Sequence, residues 1–133
     1  MILVDTSVWV ELLRDRSGRV RKSLEDALDG DEAVLARFHQ LELLQGARDE
    51  REWALLHEYL EAQVYLECGT ESWVEAGRIY FELRRRGRTV RSPIDCCIAQ
   101  IAIQHDVLLL HRDRDFEAIS EIRPLRQRRL PSP

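Results

Sequence analysis

The sequence Ile2-Leu3-Val4-Asp5-Thr6-Ser7 places three consecutive apolar residues directly before three polar ones. An apolar run this short is too brief for a helix and predicts a buried β-strand. Asp5 is followed by the apolar residues Val8 and Trp9, and Asp at such a boundary is a good helix N-cap. The pattern therefore predicts a strand that ends at an acidic residue and continues at once into a helix.

Similar apolar runs recur along the chain and alternate with segments of helical periodicity. The runs that predict further strands lie at 33–36, 64–66 and 107–110, and amphipathic spacing predicts helices within 20–28, 38–45, 53–63, 73–83 and 94–102. Strands that are apolar throughout are typical of a parallel sheet covered by helices on both faces. We therefore predict an α/β fold, a three-layer α/β/α sandwich with a mainly parallel central sheet. Residues 1–133 would form a single domain, with residues 123–133 as a C-terminal tail.

The start of the chain and the cysteines indicate a cytoplasmic protein. Residues 1–5 lack the basic segment and cleavage site of a signal peptide, and no apolar run reaches the ~20 residues of a membrane-spanning helix. Cys68 stands alone, and Cys96 and Cys97 are adjacent, which is neither a zinc-binding spacing nor a disulfide framework. We expect buried, reduced thiols and no contact with a membrane.

The charge distribution is more informative than the net charge. A net charge of −4 argues against a protein that coats nucleic acid by bulk attraction. However, residues 84–91 contain five arginines and no acidic residue. Arg can grip a phosphate through two parallel hydrogen bonds, so Arg86, Arg88 and Arg91 are candidates for phosphate binding. A coding sequence that favours Arg everywhere would also explain the general excess of Arg over Lys.

Acidic residues follow two of the predicted strands. Asp5 comes directly after the run 2–4, and Asp113 follows the run 107–110 by three residues. In a parallel sheet both acids emerge at the same edge, where the functional crevice of such folds lies. The alternative for Asp5 is a purely structural role as a helix cap.

Three further acids are candidates for the same edge, each with a structural alternative. Asp95 stands in Ser92-Pro93-Ile94-Asp95, a capping-box pattern with Pro at the first helical position. Glu42 lies beside the apolar face of a predicted helix, where a Glu is often at the solvent boundary. Asp115 would be either a fifth acid of the pocket or the cap of a helix over 116–120.

A cluster of carboxylates at one edge predicts a bound cation. Like charges that meet in a partly buried pocket raise each other's pKa values unless a cation neutralises them. The chain has one lysine, Lys22, and its arginines suit the rim of the pocket better. Ligands that are all oxygen favour Mg²⁺ or Mn²⁺ over zinc.

Taken in order, four segments of the chain resemble the PIN domain, and more narrowly the VapC-like toxins of type II toxin–antitoxin systems. The segments are the strand into Asp5-Thr6-Ser7, Leu41-Glu42-Leu43-Leu44-Gln45-Gly46, Thr89–Cys96 and His111–Phe116. The resemblance covers roughly residues 1 to 120. It implies an α/β/α sandwich that cleaves single-stranded RNA with Mg²⁺ or Mn²⁺, dimerises and is silenced by a VapB-like antitoxin.

Carried onto this chain, the resemblance implies that Asp5, Glu42, Asp95 and Asp113 bind the metal, with Asp115 as a possible further ligand. Thr6 and Ser92 resemble the small polar residues that family sites place beside the acids. His111 departs from the family, in which many members have Thr, and its imidazole would either touch the substrate or complete the strand. We expect metal-activated water to attack a phosphodiester, with Arg112, Arg114 and the arginines of 84–91 holding neighbouring phosphates.

Other classes fit the sequence less well. A phosphoacceptor receiver domain would need a lysine after a late strand, where this chain has His111 and Arg112. No Gly-x-x-x-x-Gly-Lys loop of a nucleoside-triphosphate enzyme is present. The remaining alternative is a non-catalytic PIN-like binding module in which the acids serve only as helix caps.

Overall fold

The structure is a computed structural model, and it describes residues 1–132. Its elements in chain order are β1 (Ile2–Val4), α1 (Thr6–Arg14), α2 (Arg19–Leu28), β2 (Ala33–Ala36), α3 (Arg37–Gln45), α4 (Glu50–Glu61), β3 (Tyr65–Leu66), α5 (Thr70–Arg85), α6 (Pro93–Gln104), β4 (Leu108–His111), α7 (Arg114–Ser120) and β5 (Gln127–Arg129). The predicted alternation of strands and helices is confirmed.

The five strands form one sheet in the order β3-β2-β1-β4-β5, and each recorded pairing is parallel. β1 lies at the centre, where Leu3 pairs with Val34 of β2 on one side and with Leu109 of β4 on the other. The carboxyl ends of β1, β2 and β4 therefore meet at one edge of the sheet, and each runs into or close to the start of a helix.

A hydrophobic core lies on each face of the sheet. Leu3 packs with residues of α5, α6 and α7, whereas its neighbours Ile2 and Val4 pack with residues of α1 to α4. The alternation follows from the two-residue period of a strand, which points successive side chains to opposite faces. The three-layer sandwich predicted from the sequence is confirmed.

The predicted C-terminal tail at residues 123–133 is wrong for most of its length. β5 pairs in parallel with β4, as Gln127 does with Leu109, and it forms the edge of the sheet. Leu125 and Leu130 on either side of it are buried, and each belongs to one of the two cores. Pro133 lies outside the described residues.

Two further observations concern the surface. Trp9 is buried, whereas Trp53 and Trp73 are exposed, so only the first of these tryptophans belongs to the core. In residues 1–132, no helix is long and apolar enough to cross a membrane.

Candidate metal centre

Asp5 lies at the carboxyl end of β1, where four hydrogen bonds hold its backbone N–H and its carboxylate. Its backbone N–H donates to the Leu110 carbonyl of β4 at 2.9 Å. Its Oδ2 accepts from both the backbone N–H and the hydroxyl of Ser7, at 3.0 and 2.6 Å, and its Oδ1 lies 3.1 Å from His39 Nε2. The predicted N-cap role is confirmed, since the bond to the Ser7 N–H caps α1.

The carboxyl group of Asp5 is ionised despite its burial. Burial raises its pKa, but the hydrogen bonds from His39 and Ser7 outweigh that effect and leave the pKa below its usual range. Donors directed at an anion stabilise the charged form and so oppose its desolvation. Asp5 is therefore a fixed negative charge at the centre of the sheet edge.

Sequence reasoning missed His39, which is fully buried on α3. Its Nδ1 accepts the backbone N–H of Ala36 at 2.9 Å, so that nitrogen carries no proton. The proton must then reside on Nε2, which donates to Asp5. The signal in the sequence was the spacing of three between His39 and Glu42, which places both side chains on one face of a helix.

Ser7 links the ends of the two central strands. Its hydroxyl oxygen accepts the backbone N–H of Arg112 at 2.9 Å and donates to Asp5 at 2.6 Å. Arg112 follows β4 directly, so the position of Asp5 is tied to the turn that carries Asp113. This contact joins residues 105 positions apart in the chain, which no local pattern reveals.

Glu42 lies on α3 and is half-buried beside the same edge. The Thr6 hydroxyl donates to its Oε1 at 3.0 Å, which places Thr6 beside the acids as the family resemblance implied. Burial raises the pKa of Glu42, and the nearby Asp5 charge raises it further, while the bond from Thr6 opposes both.

The carboxylates of Asp95, Asp113 and Asp115 form the tightest group of the site. One oxygen from each lies within 4.8 Å of the others. Asp113 is the N-cap of α7 and accepts the backbone N–H of Asp115 at 3.0 Å. Asp115 is therefore a member of the acidic group, and the suggested role as the cap of the last helix belongs to Asp113.

Asp95 lies in the first turn of α6. Ser92 caps this helix by accepting the Ile94 N–H at 3.1 Å, and Pro93 is its first residue, as predicted. Between these described residues, however, no bond from the Ser92 N–H to the Asp95 carboxylate forms, so the capping box is only half made. The Asp95 side chain thus remains available to the pocket.

The pKa of Asp95 reflects both its burial and the negative charge around it. Burial, followed by the charges of Asp5, Asp113, Asp115 and Glu42, raises it from 3.8 to about 7. All four of these neighbours are acids that the sequence placed at the sheet edge. The structure therefore brings all five predicted acids into one electrostatic cluster.

Arg91 is the cation that contacts this cluster directly. Its Nη2 donates to Asp113 Oδ2 at 2.6 Å, and its backbone N–H and Nε donate to Asp115 Oδ2 at 3.0 and 3.4 Å. The side chain is 77% exposed, so it reaches the acids from the mouth of the pocket. Asp95 has no such partner among the described residues.

The other predicted phosphate-binding arginines lie in different surroundings. Arg86 and Arg114 are exposed, while Arg88 pairs with Glu121 at 2.5 Å. The guanidinium of Arg112 pairs with Glu11, and the Arg112 side chain is only 18% exposed. Binding of phosphate by these residues stays a prediction.

His111 completes β4 and supports Asp113 from behind. Its Nδ1 accepts the Asp113 N–H at 3.0 Å, and its Nε2 lies 2.7 Å from Gln127 Oε1 on β5. The imidazole is fully buried, so of the two roles considered from the sequence the structure supports the structural one.

The residues present fit a divalent cation with oxygen ligands. Three carboxylate oxygens lie close enough to share one ion, and the raised pKa of Asp95 reflects its burial together with negative charge that Arg91 alone does not neutralise. Hard carboxylate oxygens are the ligands that Mg²⁺ and Mn²⁺ prefer. Asp95, Asp113 and Asp115 would hold the ion, and Asp5 and Glu42 lie near enough to contribute charge.

Comparison with known proteins finds a matching domain family and similar ribonucleases. The PIN domain model matches residues 2–122. Ribonuclease VapC11 of Mycobacterium tuberculosis is 35% identical over 125 residues, which cover 92% of this chain and 93% of that protein. Ribonuclease VapC51 of the same organism is 30% identical over 120 residues, covering 90% and 85%.

Solved structures share the fold. VapBC2 from Rickettsia felis, bound to a promoter DNA fragment, has a TM-score of 0.78 at 18% identity and covers 98% of this chain and 100% of that one. FitAcB from Neisseria gonorrhoeae has a TM-score of 0.72 at 26% identity, with 90% and 94% covered. On the family match and the identity to VapC ribonucleases, the chain belongs to the PIN domain family.

Proposed function

We propose that this chain is a Mg²⁺- or Mn²⁺-dependent endoribonuclease that cleaves single-stranded RNA and acts as the toxin of a toxin–antitoxin pair. The observation that carries the proposal is the cluster of five carboxyl groups at one sheet edge, which leaves Asp95 with a pKa near 7. Structural caps alone do not require acids from four separate helices to meet. The identity of 35% to a protein named Ribonuclease VapC11 supports the same activity.

The residues divide the work in the following way. Mg²⁺ or Mn²⁺ bound by Asp95, Asp113 and Asp115 would supply Lewis acidity toward a phosphodiester and bring the pKa of water toward neutrality. His39 and Ser7 hold Asp5 in one orientation, and Thr6 does the same for Glu42. The pKa of Glu42 is raised toward neutral pH, and a carboxyl group is a better general acid or base when its pKa lies closer to the working pH.

RNA is the expected substrate, and single strands suit this site better than duplexes. Arg84, Arg85 and Arg86 are exposed at the end of α5, seven or fewer residues before Arg91 at the mouth of the pocket. Positive charge of this kind binds the phosphate backbone whatever its sequence. Specific recognition of RNA mostly targets unpaired segments, whose bases are accessible.

A VapB-like antitoxin is the expected partner. The solved structures of similar fold include VapBC complexes, and one is described as a member of the VapBC family of toxin–antitoxin systems. This chain has an open groove of about 660 Å³ beside Glu42, lined by Leu13, Leu43 and Leu56 among others. An antitoxin segment bound there would lie next to the acids. Dimerisation, which the family resemblance implied, stays a prediction.

The second candidate is a non-catalytic binding module. It is favoured by two observations. Asp5 and Asp113 both cap helices, and Asp113 and Asp115 are both paired with Arg91. A module of this kind would bind no Mn²⁺ up to millimolar concentrations. Titration with Mn²⁺ therefore separates the two functions.

Incubation with total cellular RNA tests the proposed function. The wild type should cleave RNA with Mg²⁺ and should stop in EDTA, while Asp5→Asn should abolish cleavage and leave the fold intact. Asp26→Asn is the matched control, because Asp26 lies on the surface of α2 with only a weak pair to Lys22 at 3.8 Å. Full activity in EDTA, or in the Asp5 variant, would refute the mechanism.

A further inference from the structure

The contacts of Arg91 raise a question that the proposed function leaves open. Its Nη2 donates a hydrogen bond to Asp113 Oδ2 at 2.6 Å, and its Nε lies 3.4 Å from Asp115 Oδ2. These two residues provide two of the three carboxylates that lie within 4.8 Å of one another. Arg91 therefore pairs with two of the acids that would also bind the divalent ion.

The two cations compete for Asp113. The N–H···O bond of 2.6 Å to Oδ2 and an ion coordinated by the same carboxylate both draw on its electron density, so each interaction weakens the other. A positive guanidinium a few ångströms from a divalent ion also repels it. Asp95, by contrast, has no cationic partner among residues 1–132. Arg91 therefore compensates the charge of Asp113 and Asp115 but makes no ion pair with Asp95.

The side chain of Arg91 is free to leave. It is 77% exposed, whereas Asp113, its main partner, is 13% exposed. The backbone N–H of Arg91 makes a separate bond to Asp115 at 3.0 Å, and Asp113 keeps its own bond from the Asp115 N–H. The carboxylates therefore stay in place when the guanidinium moves away.

We propose that Arg91 is a resident counter-cation of the acidic pocket, which a divalent ion must displace from Asp113 in order to bind. In the metal-free protein it neutralises part of the repulsion between the acids. Its displacement opposes metal binding, so Arg91 sets the concentration of Mg²⁺ or Mn²⁺ at which the site fills. This inference rests on the proposed function, since it requires a site that takes a divalent ion.

Binding of Mn²⁺ without RNA tests the proposal, with free Mn²⁺ measured by its electron paramagnetic resonance signal. Arg91→Gln keeps the backbone bond to Asp115 and removes the positive charge together with the side-chain hydrogen bonds to the two acids. It should bind Mn²⁺ more tightly than the wild type, by about tenfold for the loss of one positive charge near the ion. Arg91→Lys keeps the charge but not the forked geometry, so its affinity should lie between the two.

Arg78→Gln is the matched control, because Arg78 is an exposed arginine of α5 that pairs with Glu82 and has no contact with the acids among the described residues. It should bind Mn²⁺ as the wild type does. A second measurement needs no variant to be stable. In ¹⁵N-labelled wild-type protein, the Nε–H signal of Arg91 should shift when Mg²⁺ saturates the site, because its contact with Asp115 is lost.

The outcomes are distinct. Equal or weaker binding of Mn²⁺ by Arg91→Gln, or an Nε–H signal that Mg²⁺ leaves unchanged, would overturn the proposal while the site remained a metal centre. Such a result would assign Arg91 to holding the acids or a phosphate instead. If neither the wild type nor any variant bound Mn²⁺, the metal-dependent function itself would be refuted, and Arg91 would have no ion with which to compete.

Discussion

Replacing Asp95 with Asn should make the metal-free protein more stable at high pH. Asp95 has a pKa of about 7 in the folded chain against 3.8 in the unfolded one. The folded state therefore holds a proton that the unfolded state has already released, and ionisation of Asp95 lowers the free energy of unfolding as the pH rises from about 4 to about 7. Asn has a similar shape and no charge, so the variant escapes this loss.

The magnitude follows from the two pKa values. At about 1.4 kcal/mol per pKa unit, the difference between 3.8 and about 7 corresponds to about 4 kcal/mol above pH 7. Asp95 is only partly buried, and solvent and salt screen its interactions, so we expect a gain of about 2 kcal/mol at pH 8. Below pH 4 the Asp95 carboxyl group is protonated in both the folded and the unfolded chain, and the gain should disappear.

Urea denaturation in EDTA at pH 8 and at pH 4 measures this difference. Asp26→Asn serves as the control for loss of an exposed carboxylate and should change stability little at either pH. The Asp95 variant should gain stability at pH 8 and lose RNA cleavage in Mg²⁺, since the same carboxylate is an expected ligand. An Asp95 variant no more stable than the wild type at pH 8 would show that burial and the neighbouring acids do not destabilise the Asp95 carboxylate as the structure indicates.

Three further predictions concern the support of the site. His39→Ala should lower the free energy of unfolding by about 3 kcal/mol in chemical denaturation, because it leaves a buried carboxylate short of a donor. His57→Ala, on the surface of α4, should change it little. Thr6→Val removes the hydrogen bond to Glu42 and so raises the pKa of that carboxyl group further. If Glu42 acts in its ionised form, the acid limb of the pH–rate profile should move to higher pH, and an unmoved limb would separate Glu42 from the reaction. Leu130→Ala should cost about 2–5 kcal/mol in thermal or urea unfolding, since Leu130 is fully buried beside β5. A change in the free energy of unfolding near zero would indicate that residues 123–133 behave as a tail and do not pack against the sheet.

The parts of the fold that could be predicted are those that leave a local pattern. β1 is apolar throughout and β4 is apolar up to His111, because helices cover both faces of the sheet, and this property is visible in residues 2–4 and 107–110. β5 was missed because it is a polar edge strand, Gln127-Arg128-Arg129, and two of its three residues are exposed. The available signal was the pair of apolar residues on either side of it, Leu125 and Leu130.

The candidate site likewise has parts that the sequence predicts and contacts that it does not. Four of the acids could be located because each follows a strand or begins a helix, and the topology then brings them to one edge. The exception is Glu42, which lies in the middle of α3. The contact of His39 with Asp5 depends on how α3 is rotated against β1, which the sequence does not state. The position of Arg91 depends on a long side chain that pairs across 22 residues with Asp113, so its charge was predictable and its partner was not.

The most direct test of the account is an anomalous difference map from crystals of the protein grown with Mn²⁺. The account predicts a peak between the carboxylates of Asp95, Asp113 and Asp115, with ligand oxygens at about 2.2 Å. A map with no peak at this edge of the sheet at millimolar Mn²⁺, or with a peak only at acids elsewhere on the surface, would contradict it.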